Sequence, residues 1–600
     1  MLEYTKENQR LSIILRGTGM DESAFYGGWE FAAHKFLGAH PDGEGAVFRT
    51  YAPAAVQVGL IGTFSNWQEI PMRRVRDGNF WEVQAETVPP GSLYKFRIHR
   101  PDGGVTDHAD PYAFGAELRP ATASVYWGDS LYRFRDEAWM AGEGRWGGPP
   151  NIYELHAGSW QTRPEEEGPD RWYFYGELAD RLVPYLLEMG YTHLELMPLT
   201  EYPCDESWGY QATGFFSPTA RYGHPDGLRY LVDRCHRAGI GVLLDFVPVH
   251  FAVNDYALWN YDGTALYEYP HPDVGYNQWG SCNFCLSRGE VRSFLQSAAC
   301  YWLEEFHLDG LRLDAVSHLI YWQGDPARGE NGPGLAFARS LTDGLHARFP
   351  RTLLIAEDST ARPGTTAPTR EGGLGFDGKW DLGWMNDTLA YFRLPPDQRA
   401  GRGELLAFSM HYHYGERYLL PLSHDETVHG KGTMLRKMYG TPAEQLAQLR
   451  ALYLYMYAHP GAKLDFMGNE WAQAREWDPA RSQDWDCLEQ PEHRALWEYR
   501  RALHHFWKGC PALWAADRDP AGFAWLEGGR GEAGVFAFER RGAGQRVLAL
   551  FQFGGRPLAW RCPAGMRLRP LFTADGGPAP AVQNGVLLLP AFGGWCWELG

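Results

Sequence analysis

Four short apolar runs in this chain each end in acids, and few folds tolerate that arrangement. Gly310-Leu311-Arg312-Leu313-Asp314-Ala315-Val316 carries an arginine and an aspartate two positions apart. Leu243-Leu244-Asp245-Phe246-Val247-Pro248-Val249-His250 precedes it. Leu353-Leu354-Ile355-Ala356-Glu357-Asp358 and Leu420-Pro421-Leu422-Ser423-His424-Asp425-Glu426 follow. Residues i and i+2 of a strand share a face, so Arg312 and Asp314 point the same way. Burying either charge alone is costly. An ion pair closing a barrel core would account for the first run by itself. Four runs delivering acids at their C-terminal ends point instead to one cleft built by four strands.

The surrounding pattern supplies the rest of such a cleft. Between about 150 and 505, strand and helix signals alternate. Asn151–Leu155 reads as the first strand, Thr192–Met197 as the second, and runs ending at Asp245, Asp314 and Glu357 as the third to fifth. A weaker sixth is expected around Leu374-Gly375-Phe376-Asp377, a seventh at about 418–423 and an eighth at Ala462–Met467. Leu178, Leu182, Leu186 and Met189 recur at helical spacing, as do Leu228, Leu231, Val232 and Cys235. Eight strand–helix units predict the α/β class and a closed (β/α)8 TIM barrel. The C-terminal strand ends of such a barrel form the rim that carries catalytic groups. The expected division is a lead-in over 1–37, a β-sandwich over 38–128, the barrel over 129–509 with a loop insertion at 251–288, and a second all-β sandwich over 510–600. In the first sandwich Trp67, Trp81 and Tyr94 are either core or a glycan-binding face. No G-x-G-x-x-G follows the first strand and there is no P-loop, which removes the usual nucleotide readings.

Charge and composition narrow the partners. A formal charge of −18 argues against a nucleic-acid partner, whose backbone needs a basic track. The opening MLEYTKENQR lacks an apolar signal core and no run reaches spanning length, so no membrane association and a cytoplasmic location are expected. Nine cysteines cannot all pair, and Cys282-x-x-Cys285 lacks the second half of a zinc motif. Aromatic residues make up 15% of the chain, with 25 Trp; such rings either fill cores or stack on sugar rings.

Asp245, Asp314, Glu357 and Asp425 thus share one rim with Arg312, His250 and His424. Cleaving a glycosidic bond needs a proton donor for the leaving oxygen and a nucleophile, or a base that activates water, and two carboxyl groups supply both roles. Like charges in one cleft raise one another's pKa and give one group the protonated state an acid needs. Arg312 would keep Asp314 ionised, which favours Asp314 as nucleophile and Glu357 as acid and then base. Asp425 would stabilise positive charge on the sugar. His424 and His250 would donate to its hydroxyls, and Tyr210 would form a stacking floor. A divalent-metal site is the rival reading, since clustered Asp, Glu and His also bind Mg²⁺ or Zn²⁺. The paired arginine and the interleaved aromatics favour sugar and no metal. A non-catalytic glycan scaffold would not require acid, nucleophile and stabiliser together.

At these residues the chain resembles the α-amylase superfamily, glycoside hydrolase family 13, and within it the 1,4-α-glucan (glycogen) branching enzymes. The first superfamily motif matches Asp245 to His250, with Asp245 as structural aspartate and His250 as a sugar contact. The second matches Leu311 to Val316 and carries over Arg312 and the nucleophile Asp314. The third is Ala356-Glu357, with Glu357 as acid/base. The fourth is His424-Asp425, with Asp425 as transition-state stabiliser, and the family's substrate-site tyrosine falls on Tyr210. Flanking stretches carry the branching-enzyme pattern: Tyr153-Glu154-Leu155-His156-Ala157-Gly158-Ser159-Trp160, Trp208 to Gly214, Lys379 to Met385, Ser423 to Lys431, and Phe466 to Glu470 with Glu476-Trp477. Ala52-Pro53, Gly62 to Trp67 and Asp110-Pro111-Tyr112 resemble the glycan-binding sandwich of branching and debranching enzymes. The chain departs from the family at Asp358, where a second glutamate is usual, and at Asn386, where a histidine is common. The resemblance implies retaining cleavage of an α-1,4 bond and transfer of the glucan segment to a 6-hydroxyl, making an α-1,6 branch in glycogen biosynthesis. It implies glycogen or amylose chains as donor and acceptor, no cofactor, and a monomer or weak homo-oligomer. The acid set alone does not separate this transferase from a hydrolysing relative, such as an amylase or a trehalose-releasing enzyme.

Overall fold

Eight parallel strands close into a barrel in the computed structural model, which describes residues 19–142, 148, 150–164, 166–528 and 534–600. They are β1 (Asn151–Leu155), β2 (His193–Leu196), β3 (Gly241–Phe246), β4 (Gly310–Leu313), β5 (Leu353–Ala356), β6 (Gly378–Trp380), β7 (Tyr418–Leu422) and β8 (Ala462–Phe466). Pairing of β8 with β1, Asn151 opposite Lys463, completes the ring. β1, β3, β4 and β5 are buried along their whole length. Side chains fill the barrel inside and helices cover it outside, so these strands read as continuous apolar runs rather than alternations.

The helix after β1, Tyr175–Met189, buries Leu178, Leu182, Leu186 and Met189 and ends at Gly190, whose φ of 80° provides the left-handed cap. Pro225–Arg237, Gly289–Glu305 and Gly332–Arg348 follow β2, β3 and β4. Every strand except β5 is followed by a long helix. The β5–β6 connection has only the 3-10 turn Thr369–Glu371, so the expectation of eight strand–helix units is corrected there. The sixth strand is also corrected. It lies at Gly378–Trp380, not at Leu374–Asp377, and pairs through Ile355 opposite Gly378 and Trp380 opposite Leu419. Gly375, at φ 78°, turns the chain before the apolar run can extend, so Leu374 and Phe376 are buried in a connection.

Residues 251–288 form the expected elaborated loop. It carries a two-stranded ribbon of His250–Phe251 with Cys282–Asn283 and one helical turn, Pro272–Gly275. Before the barrel, two facing sheets make a sandwich. One contains Gly38–Asp42, Gly45–Tyr51, Phe80–Ala85 and Arg73–Val75; the other is built on Gln57–Gly62 and Ser92–His99. Trp81 and Tyr94 are core residues there, whereas Trp67 is 42% exposed. Ahead of it, the helix Glu22–Gly27 clasps the barrel. Ser293 donates to the Phe25 carbonyl at 2.9 Å and Gln296 to that of Gly28 at 2.9 Å. At the other end, a five-stranded sheet and the pair Leu558–Arg561 with Val586–Leu589 form the closing all-β unit. Among the described residues no helix is long and apolar enough to cross a membrane.

Candidate active site

Register explains why the first two charges meet. Asp245 on β3 lies directly opposite Arg312 on β4, and in parallel strands such neighbours face the same side. Arg312 Nη1 donates to both Asp245 oxygens, at 2.8 and 2.7 Å, and to Asp314 Oδ1 at 2.7 Å. The guanidinium lies 4.4 Å from the Trp380 ring centre and is 1% exposed. Desolvation works against the arginine's charge, but Asp245 and Asp314 outweigh it and push its pKa up. Tyr210 donates its hydroxyl to Asp245 Oδ2 at 2.5 Å. Burial pushes Asp245 up to about 6 against the pull of Arg312.

Asp314 follows the last residue of β4, and its side chain is 16% exposed. Burial raises its pKa above the ordinary carboxylate value while Arg312 opposes the rise. Arg312 therefore offsets desolvation at Asp314 and does not push its pKa below the usual range. The next residue, Ala315, adopts φ 49° and donates its amide to Glu357 Oε2 at 2.8 Å. Backbone bonds from Glu357 N to Leu313 O (3.0 Å) and from Val316 N to Glu357 O (2.9 Å) lock the two strand ends together. Burial pushes Glu357 up to about 7; Arg312 opposes this, and Asp314 and Asp425 add to it. Desolvation, more than the like charges, therefore gives Glu357 its acid character.

His424 and Asp425 sit in the short turn His424–Thr427 that follows β7. Glu154 on β1 accepts the His424 amide at 2.9 Å and lies 2.6 Å from His424 Nδ1. Desolvation would lower this histidine, but Asp425 and Glu154 bring it up to about 9, so it carries a positive charge at neutral pH. Its ring stacks on Tyr210, centroids 5.6 Å apart. Its Nε2 approaches Asp425 Oδ1 at 3.5 Å. Asp425 is half exposed; desolvation by the surrounding cleft would raise it, yet His424 and Arg312 hold it below the usual carboxylate range.

The structure thus gathers Tyr210, Asp245, Arg312, Asp314, Glu357, His424 and Asp425 at one end of the barrel. His250 stands apart from that network. Its Nδ1 has no hydrogen-bond partner among the described residues, and its ring lies beside Trp279, centroids 5.1 Å apart. Trp279 in turn packs on His318 at 4.7 Å. Burial lowers His250 to about 4 and keeps it neutral.

Sequence reasoning gave no site role to Glu154 and Trp380, quoted only within the flanking motifs, or to Glu195 and His318. Glu154 carried the signal used elsewhere, an acid inside an apolar run. Glu195 on β2 is level with Glu154 and both its oxygens are buried without a partner among the described residues. Burial, then the adjacent Glu154, push it far above the ordinary range, so it is neutral. Among the described residues no three His, Cys, Asp or Glu side chains are arranged to hold a metal ion. Cys282 and Cys285 are buried free thiols.

Residues 36–113 match the family model for carbohydrate-binding module 48 (isoamylase N-terminal domain), and residues 177–260 that for the α-amylase catalytic domain. The 1,4-alpha-glucan branching enzyme GlgB of Bacillus caldolyticus is 44% identical over 540 residues, covering 88% of this chain and 80% of that protein. The enzyme of the same name from Fusobacterium nucleatum is 42% identical over 551 residues, 91% and 89% of the two chains. In fold, the chain is similar to the Paenibacillus barengoltzii pullulanase solved with maltohexaose and α-cyclodextrin. The TM-score is 0.75 at 17% identity, over 96% of this chain and 97% of that one. Long alignments above 40% identity, covering most of both chains, show that this chain belongs to the 1,4-α-glucan branching enzymes of the α-amylase superfamily.

Proposed function

We propose that the branching reaction of this family member runs as a retaining double displacement through Asp314 and Glu357. Glu357 protonates the oxygen of an α-1,4 bond as Asp314 attacks the anomeric carbon, and the glucan fragment beyond that oxygen departs. The transferred segment is then held on the Asp314 carboxylate as a glycosyl ester. Glu357, now a base, takes the proton of a glucan 6-hydroxyl, whose oxygen displaces Asp314 and forms the α-1,6 branch. Asp425 offsets positive charge at the anomeric carbon. Tyr210 and the charged His424 bound the sugar on one side, Asp245 and Arg312 anchor the nucleophile, and His250 donates to a hydroxyl. No nucleotide enters, because the broken bond supplies the energy of the new one.

One observation carries the assignment. The amide immediately after Asp314 donates to Glu357, while Arg312 holds Asp314, so a single backbone turn sets the separation of nucleophile and acid. Glycogen or amylose chains serve as donor and acceptor, in the cytoplasm, for a monomer or weak homo-oligomer. The working units are 38–128, 129–509 and 510–600. Water competes with the acceptor for the intermediate, so the outcome depends on how the acceptor is held. Incubating the protein with amylose tests this. Loss of iodine colour without a matching rise in reducing ends, and short chains released on debranching, is the expected result. A matched rise in reducing ends would assign hydrolysis instead.

A further inference from the structure

Backbone following Asp425 is gripped by a buried ammonium and by a carboxylate. Lys437, 2% exposed, sends its ammonium into the turn formed by residues 426–432. Nζ donates to the carbonyl of Glu426, to that of Lys431 at 3.0 Å and to that of Gly432 at 2.8 Å. From the other side the Glu476 carboxylate accepts the amides of Gly430 at 3.0 Å and Gly432 at 2.6 Å. His429, Gly430 and Gly432 hold φ of 56°, 77° and 81°, the left-handed backbone that turns these carbonyls inward. Carbonyls converging on one point commonly ligate a bound cation; here the chain supplies the cation. Burial pushes Lys437 down to about 8, against the pull of Glu426, so the ammonium is mostly charged at neutral pH.

Asp425 needs such a device. Its side chain is 53% exposed, and its one described polar approach is His424 Nε2 at 3.5 Å. The backbone therefore aims its carboxylate. Glu154 holds the chain upstream through the His424 amide, and the gripped turn holds it downstream. The same turn reaches the site through His429, whose ring stacks on Trp208 at 5.2 Å, and Trp208 packs on His424 at 5.7 Å.

We propose that Lys437 is a positioning residue for the transfer reaction: its ammonium acts as a built-in cation that fixes the turn 426–432 and so aims the Asp425 carboxylate at the reacting sugar. This rests on the role given to Asp425 above.

The test uses four variants of the full chain, K437M, K437A, D425N and the K437M/D425N pair, with melting curves to establish that each is folded. K437M fills the lysine's space without charge, and K437A leaves the carbonyl cage open. K437M should lose about 10–100-fold in kcat for amylose branching, the worth of a charged hydrogen bond, with KM within about twofold. K437A should regain activity with ethylammonium chloride and not with equal sodium chloride. With wild type, K437M, D425N and the K437M/D425N pair all followed as fluoride release from α-maltosyl fluoride, the K437M loss seen beside wild type should largely vanish in the D425N background, because both changes act through one carboxylate. If K437A does not fold, the cycle on K437M decides alone. Wild-type kcat in K437M, a loss carried by KM, no amine rescue of folded K437A, or a full-sized K437M loss in D425N would each overturn the proposal. Full activity of D425N by itself would sink the role of Asp425, a failure distinct from that of the lysine.

Discussion

Replacing Arg312 by methionine isolates the charge around which the site is built. Methionine keeps an unbranched apolar stem but ends short of the guanidinium that lies over Trp380, so the charge and its donors are lost. Among the described residues, Asp245, 2% exposed, keeps only the Tyr210 hydroxyl. Asp314, at 16% exposed, can recover some hydration. Removing one partner of a buried ion pair costs about 3–5 kcal/mol, because the other charge stays buried. Asp245 can escape part of this cost by taking up a proton. Even with Arg312 present, burial puts it at about 6, above its value in the unfolded chain, and without the arginine it rises further. A folded-state pKa above the unfolded one means that the folded protein binds the extra proton. Stability is then fully present below the unfolded pKa and is lost as pH rises through the folded pKa. At about 1.4 kcal/mol per pH unit, R312M should lose about 2–3 kcal/mol more than the wild type between pH 6 and pH 8. Denaturant titrations of both proteins at the two pH values, followed by tryptophan fluorescence, measure this. Equal destabilisation at both pH values, or wild-type midpoints throughout, would refute the buried-charge account.

Other consequences concern turnover. Glu357, pushed up to about 7, must be protonated to act as acid; kcat/KM should therefore fall about tenfold per pH unit above that value. A profile still flat at pH 9 would exclude it. E154Q removes the carboxylate that charges and orients His424, a bond worth about 1.5–3 kcal/mol, so kcat/KM should drop roughly 10–100-fold; a change within twofold would leave Glu154 without that role. D314A should abolish detectable branching while its melting temperature stays close to wild type, and intact turnover would end its assignment as nucleophile.

Much of this protein was legible in the chain because it follows from local periodicity. Apolar runs marked seven of the eight barrel strands, and a four-residue step marked the buried face of Tyr175–Met189. Acids closing those runs named Asp245, Asp314 and Glu357, since a charge at the end of a buried strand has to reach a rim. The sixth strand escaped that logic. Its apolar run is buried in a turn opened by Gly375, and the three residues that pair are too few to show a period.

Tertiary structure alone decided which partner each charge has. Arg312 meets Asp245 through the register between β3 and β4, 67 residues apart in sequence. Glu154 meets His424 across the closing seam of the barrel, 270 residues apart. Ala315 holds Glu357 because two strand ends lie side by side, and Lys437 reaches the turn after Asp425 by folding back on it. Sequence spacing dictates which face of an element a residue occupies. Register, barrel closure and the path of a loop dictate what that face meets, and in a buried cleft the partner sets whether a carboxyl carries its proton.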